Sequence, residues 1–402
     1  MKEPTDHNLY IQPLEGGAKA VLAENVARAV TTAVWAPDGG RVLFTNDRDG
    51  GDDMWSVRVQ EGRPAGLPEL VQKGVGRLLD VTRGGECYYQ TSPRTEDLYV
   101  AGVDPQTGKL ASRPKQITTS GAHAGAAWSP DGEYLAYYAV PADRGPSSPM
   151  LRSIRTGQER GLVPRFVNIG ITPQWFPDSR FLFVSPPAGK LAQFDIQAGE
   201  SRPWLESVTL PHFYQDDSGM ANYISVVLAP DARAVYYLTN DREAHQTSIF
   251  RLDAQDGSKK ELCRTDLVTG LAVSPDGSRI AFVKTRTEAA PGVEPKPVWS
   301  IMTLPTSGGE PKEVYRVAPP FLSYPRWSKD GRRVFFLRGG PASDVFSIPA
   351  EGGEAQPLGI SLHALSYLNI HPDGTQIVFT DSQSDNQLWV LKNLFNAAKA
   401  GR

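Results

Sequence analysis

Trp128-Ser129-Pro130-Asp131-Gly132-Glu133-Tyr134-Leu135-Ala136-Tyr137 decides the fold, because the chain keeps returning to it. It reads as the end of one apolar strand, a tight turn and the start of the next. Proline presets the backbone angle at the turn, aspartate bonds its own main chain, and glycine accepts a positive φ. The same grammar recurs at Trp35–Phe44, Trp175–Phe183, Leu228–Tyr237, Val273–Phe282, Trp327–Phe336 and Ile370–Phe379, with a degenerate copy at Val81–Tyr89. These eight copies step by 43 to 54 residues. Such a period, with about four strands per unit, is that of propeller blades.

A third strand follows each pair, as in Asp97-Leu98-Tyr99-Val100, Ser248-Ile249-Phe250-Arg251-Leu252, Asp344-Val345-Phe346-Ser347-Ile348 and Gln387-Leu388-Trp389-Val390. A Gly-rich turn comes next (Ser307-Gly308-Gly309-Glu310, Glu351-Gly352-Gly353-Glu354), and a short fourth strand such as Lys312-Glu313-Val314-Tyr315 ends the repeat. This strand grammar resembles the TolB-type bacterial β-propeller. It is similar in particular to the C-terminal propeller half of longer TolB-like proteins. The residues that carry this likeness are the opening at Pro37–Gly50, the turn at Val103–Lys109 and the close at Trp389–Phe395, where Leu394 departs from the pattern. The resemblance implies a periplasmic or extracellular setting. It also implies that further blades, a kinase or a DNA-binding domain often precede such a half.

The expectation is therefore one all-β propeller over residues 1–402. Its repeats lie near 33–72, 77–118, 125–163, 172–205, 223–264, 270–316, 324–358 and 367–391. Eight four-stranded blades are expected, or seven if the degenerate or the terminal repeat does not complete one. Residues 8–22 read as a third and a fourth strand, whereas 368–391 supplies strands one to three. An N-terminal strand is thus expected to close the last blade. Leu9-Tyr10-Ile11 and Leu388-Trp389-Val390 both claim the third-strand role, so the first is either an extra edge or the remnant of a preceding blade.

The 33 prolines and 38 glycines suit a turn-rich all-β chain, and the net charge of −3 provides no field for nucleic acid. No apolar run approaches the ~18 residues of a membrane span. Cys87 and Cys263 fall in different repeats, so no disulfide is expected. A monomer is expected.

Long steps mark insertions at 210–223 and 286–297, which up-and-down topology gathers with 143–149 on one face, opposite the Pro-Asp-Gly turns. Loops on such a face carry function. Four groups of candidates follow. His212, Tyr214, Asp216 and Asp217, with His245, have the side chains for a metal or an acid–base pair, or they form an ordinary polar loop. Asp47-Arg48-Asp49-Gly50-Gly51-Asp52-Asp53 is oxygen-rich like a calcium loop but lacks its spacing, and by the TolB resemblance it is a turn joining strands two and three. His123, Tyr223, Tyr324, Arg326, Tyr367 and Asn369 precede or open inner strands and are expected around the channel mouth, either filling the rim or meeting a ligand. Trp35, Trp128, Trp175 and Trp327 recur with the fold and are expected to pack blade on blade.

No nucleophile elbow, H-E-x-x-H, C-x-x-C or phosphate loop is present. The leading reading is a non-catalytic module that binds a protein, peptide or saccharide at the loop-rich face. His123, His212, Tyr214, Asp216, Asp217, Tyr324 and Arg326 are its binding residues. No cofactor is required, calcium or another divalent metal being the one considered. The alternative is a propeller enzyme, a polysaccharide lyase or glycoside hydrolase, with His212, Tyr214, His245 and Arg326 as suspects.

Overall fold

The computed structural model describes residues 8–24, 32–46, 53–91, 94–118, 122–140, 148–162, 173–184, 191–205, 208, 226–241, 244–290, 293–319, 321–339, 342–363, 367–384, 386–392 and 394. Strands and turns make up these residues. At the repeated turn the chemistry is as read. Gly132 has φ 76°, the Gly132 amide donates to Ser129 O at 2.8 Å, and the Glu133 amide donates to Asp131 Oδ1 at 2.9 Å.

Five blades are contiguous in sequence. The first comprises Ala122–Trp128, Tyr134–Val140, Ser148–Ser153 and Glu159–Gly161; the second Gln174–Trp175, Phe181–Val184, Ala192–Asp195 and Glu200–Pro203. The third comprises Val226–Leu228, Ala234–Asp241, Gln246–Asp253 and Lys259–Thr265; the fourth Leu267–Val273, Arg279–Ala290, Val293–Pro305 and Lys312–Val317. The fifth comprises Phe321–Trp327, Arg333–Gly339, Ser343–Pro349 and Gln356–Leu362. The sixth is composite. Leu368–Ile370 and Gln376–Ser384 provide its inner half, and Arg94–Gly102 with Lys115–Gln116 provide its outer half.

Burial explains why these sheets stand side by side. Each blade buries apolar side chains on both faces, so each needs a neighbour on both sides. One apolar cluster fills every seam: Leu151 with Phe194 between blades one and two, Phe183 with Val235 between two and three, and Leu238 with Phe282 between three and four. Val283 with Phe336, Leu337 with Phe379, and Leu98 with Leu135 fill the seams four–five, five–six and six–one. The inner strands touch in the same cyclic order, and that of blade six lies against that of blade one. The sheets close at six, so the eight or seven equal blades expected in one ring are not what the pairing gives.

The other strands form a separate stack. Leu9–Ile11 pairs with Ala20–Ala23 as a hairpin, which packs on the sheet Ala33–Trp35, Arg41–Asn46, Asp53–Gln60 and Glu69–Gln72 through Leu22, Phe44 and Val57. Leu43, Met54, Leu78 and Cys87 join that sheet to a three-stranded one made of Arg77–Val81, Cys87–Thr91 and Gln387–Leu391. The N-terminal strands therefore pair with each other and do not close the last blade, as had been expected.

The third strands have changed places. Arg94–Gly102 completes the terminal repeat, and Gln387–Leu391 completes the degenerate one. A single antiparallel register runs through both pairings, from Cys87↔Leu391 and Thr91↔Gln387 to Arg94↔Ser384 and Gly102↔Gln376. One ribbon thus ties ring to stack. The 286–297 insertion, read from sequence as a loop, instead lengthens a hairpin of blade four to Ala290↔Val293, and Glu288 on it pairs with Arg286 and Arg316.

Candidate binding site at the ring axis

Three inner strands carry a bulge at the same place, and each bulge needs a residue with positive φ. Blade one uses Gly125 (φ 55°) and blade four uses Gly270 (φ 65°), but blade five uses Tyr324 (φ 52°). A left-handed conformation costs a side-chain-bearing residue about 1–2 kcal/mol, so Tyr324 is held there by its surroundings. Its ring meets that of Tyr367 from blade six edge-on, with centroids 5.2 Å apart.

Just before the recurrent Trp position the six inner strands carry Ala127, Gln174, Val227, Ala272, Arg326 and Asn369, in three of them two residues after the bulge. Only one of the six is charged. Gln174 shows what a structural polar group does at this position. It bridges to the next blade, donating to Val226 O at 2.5 Å and accepting from the Leu228 amide at 2.6 Å. Asn369 accepts from its own neighbour, the Ile370 amide, at 2.7 Å.

Arg326 makes no such bridge. It lies opposite Phe335 in the register, on the face turned toward blade six, and donates to the adjacent Pro325 O at 2.9 Å. Among the described residues no carboxylate pairs with it. Burial among the blades pushes its pKa down to about 10, and Tyr324 offsets this in part. A half-buried guanidinium with no carboxylate partner among the described residues is suited to a carboxylate or sulfate.

The remaining sequence candidates are not gathered here by the described residues. His123 is buried, its Nδ1 lies 3.1 Å from Glu96 O and 3.9 Å from Asp97 Oδ1, and its ring meets Tyr137 edge-on. It therefore helps join blade one to the composite blade, beside the parallel bridge Glu96↔Ala122. His245 sits on an exposed turn of blade three with φ 52°. His212, Tyr214, Asp216, Asp217 and Tyr223 lie outside the described residues, as do residues 47–52 of the acidic run. Asp53, which ends that run, is buried and accepts from the Gly74 amide at 2.8 Å, a structural contact. No three His, Cys, Asp or Glu converge as a metal site among the described residues.

The tryptophans divide. Trp175 Nε1 donates to Ala127 O at 3.1 Å and Trp327 Nε1 to Ala272 O at 3.0 Å, each reaching into the preceding blade. Trp128 is buried, whereas Trp35 in the stack is 48 % exposed. Cys87 and Cys263 are both free thiols, each pushed up to about 11 chiefly by burial.

No family model matches the chain. A stretch of 122 residues, 30 % of this chain, is 31 % identical to the uncharacterized peptidase YuxL of Bacillus subtilis, and covers 18 % of that protein. Among solved structures, TolB of Agrobacterium tumefaciens is similar at 15 % identity, covering 72 % of this chain and 99 % of that one, with a TM-score of 0.48. TolB of Acinetobacter baumannii is similar at 15 % identity over 87 % of this chain and 79 % of that one, with a TM-score of 0.46. An oligogalacturonate lyase in complex with manganese is similar at 19 % identity, covering 71 % and 77 %, with a TM-score of 0.45. The chain is an all-β protein of four-stranded antiparallel sheets that resembles the TolB-type β-propellers.

Proposed function

We propose that the chain is a non-catalytic binding propeller whose channel mouth receives an extended, carboxylate-bearing segment of a protein or peptide. The observation that supports this reading is Arg326. It is the single charge among the six axial positions, it has no carboxylate partner among the described residues, and it sits beside a strained Tyr324 whose ring meets Tyr367 edge-on. An arriving carboxylate would supply the missing counter-charge, and the tyrosine pair would give the chain that bears it an aromatic shelf. A periplasmic or extracellular setting accords with the TolB resemblance.

Glutamate-rich hexapeptides with a free or an amidated C-terminus provide the test, read by calorimetry on the full chain. The wild type is expected to bind, and Arg326→Gln to weaken binding by about thirtyfold or more, since truncating one side of an enclosed charge pair costs at least ~2 kcal/mol. Equal binding by Arg326→Gln would sink the proposal. Absorbance of unsaturated uronides appearing on a polysaccharide panel, and lost in the same variant, would instead favour the lyase alternative.

A further inference from the structure

We propose a second site, on the turn face where blade six meets blade one, that binds a small carboxylate with an apolar body. It is independent of the axial site. Two equivalent seams of the ring reveal it. At the four–five seam, Arg279 leaves the turn Asp276-Gly277-Ser278 and lays its guanidinium 4.8 Å over the Trp327 ring. It also donates to Glu351 at 2.7 Å and to Gly331 O at 2.9 Å, while Trp327 Nε1 is satisfied by Ala272 O. That seam is filled.

At the six–one seam the same turn reads Asp373-Gly374-Thr375-Gln376, so a shorter glutamine stands where Arg279 does, and Trp128 stands where Trp327 does. A cleft of about 600 Å³ opens there. Val100, Ile117 and Trp128 form apolar walls, and Arg113, Lys115 and Arg152 line it with positive charge. Trp128 is 7 % exposed and its buried Nε1–H has no acceptor among the described residues, unlike those of Trp175 and Trp327.

The charge balance favours an anion. Arg152 is paired with Glu159 at 2.6 Å, but Arg113 and Lys115 have no carboxylate partner among the described residues. Asp373, the acidic group of the neighbouring turn, is occupied by the Thr375 amide and hydroxyl at 2.7 and 2.8 Å and by His371 Nδ1 at 2.8 Å. A carboxylate fits the Arg113–Lys115 side, and a ring or short aliphatic body fits against Trp128, Val100 and Ile117. Inorganic phosphate would satisfy the charge and leave the apolar walls bare.

Phenylacetate, its uncharged isostere phenylacetamide and inorganic phosphate are the probes, titrated calorimetrically into the full chain. Phenylacetate is expected to bind and phenylacetamide is not. The double variant Arg113→Ala/Lys115→Ala should lose about tenfold in affinity or more. Gln376→Arg, which rebuilds the filled seam, should abolish the same binding that the double variant weakens. No binding of phenylacetate at millimolar concentration overturns the proposal. So does phosphate binding as tightly as phenylacetate, which would reveal a bare cationic patch, or binding that survives Gln376→Arg. Should Gln376→Arg fail to fold, the exposed Arg113/Lys115 pair decides alone.

Discussion

The ring and the stack are built from the same repeat, yet only the ring is finished. Trp327 and Trp35 occupy equivalent positions just before their turns, and they are 6 % and 48 % exposed. Trp327 has the inner strand of blade four behind it to accept its N–H and Arg279 to cover its face. Among the described residues Trp35 has only a two-stranded hairpin on that side, and the hairpin covers the outer part of the sheet through Leu22 and Val57. The far side of the stack is also bare. Leu388, Trp389 and Val390 on its edge strand are 65 %, 48 % and 39 % exposed, whereas the third strand of blade five buries Val345 and Ile348 completely. A blade's stability therefore resides in its two neighbours and only weakly in itself, which is the nearest-neighbour logic of repeat proteins.

That contrast can be broken at its strongest point by truncating the two tryptophans. Trp327→Ala should cost about 3–5 kcal/mol, because it removes a buried ring and orphans its acceptor, and Trp35→Ala about 1 kcal/mol or less. Chemical denaturation compares the two, and similar losses would mean that the stack is covered as well as the ring. A smaller effect comes from pH. Arg180, hydrogen-bonded at 2.9 and 2.6 Å, holds the Asp195 carboxyl at about 2 in blade two, and Ser274 with the Ser278 amide and hydroxyl holds Asp276 at about 2 in blade four. Both folded values lie below the unfolded one near 3.8, so the stability they contribute is complete above about pH 4 and lost as pH falls toward about 2. Thermal melts from pH 5 downward should show that loss, and Asp195→Asn should flatten it. The smallest change sharpens the comparison within the ring. Ala232 occupies the turn position of glycine in blade three with φ 57°, so Ala232→Gly should raise stability by about 0.5 kcal/mol.

The turn, the period and the third strand were legible because proline, aspartate, glycine and β-branched residues impose them locally. The partner of each third strand was not. Leu98-Tyr99-Val100 and Leu388-Trp389-Val390 carry the same alternation, so either fits either sheet, and local pattern favours the hairpin that the fold rejects. That exchange also changed the count, since it moves half a blade from the degenerate repeat into the ring. On the inner strands, the places of Tyr324, Tyr367 and Arg326 before the recurrent turn could be read from sequence, but the contact between the Tyr324 and Tyr367 rings could not. His123 follows the rim-filling alternative, bonding to a neighbouring blade through Glu96 of the composite blade. The turn-face cleft left no motif, because a glutamine one turn short of an arginine is silent until two seams are laid side by side.

The continuous ribbon sets an order in time. Thr91 and Trp389, which share a hydrogen bond of 3.0 Å, are 298 residues apart in sequence. During synthesis the strand Arg94–Gly102 emerges before the five contiguous blades and must wait, with an open edge, until Gln376–Ser384 follows them. Five blades can assemble vectorially, but the sixth cannot close before Gln376–Ser384 arrives, and the stack gains its last strand only after that. Closure is thus a slow and aggregation-exposed step, governed by the arrival of strands nearly three hundred residues after their partners.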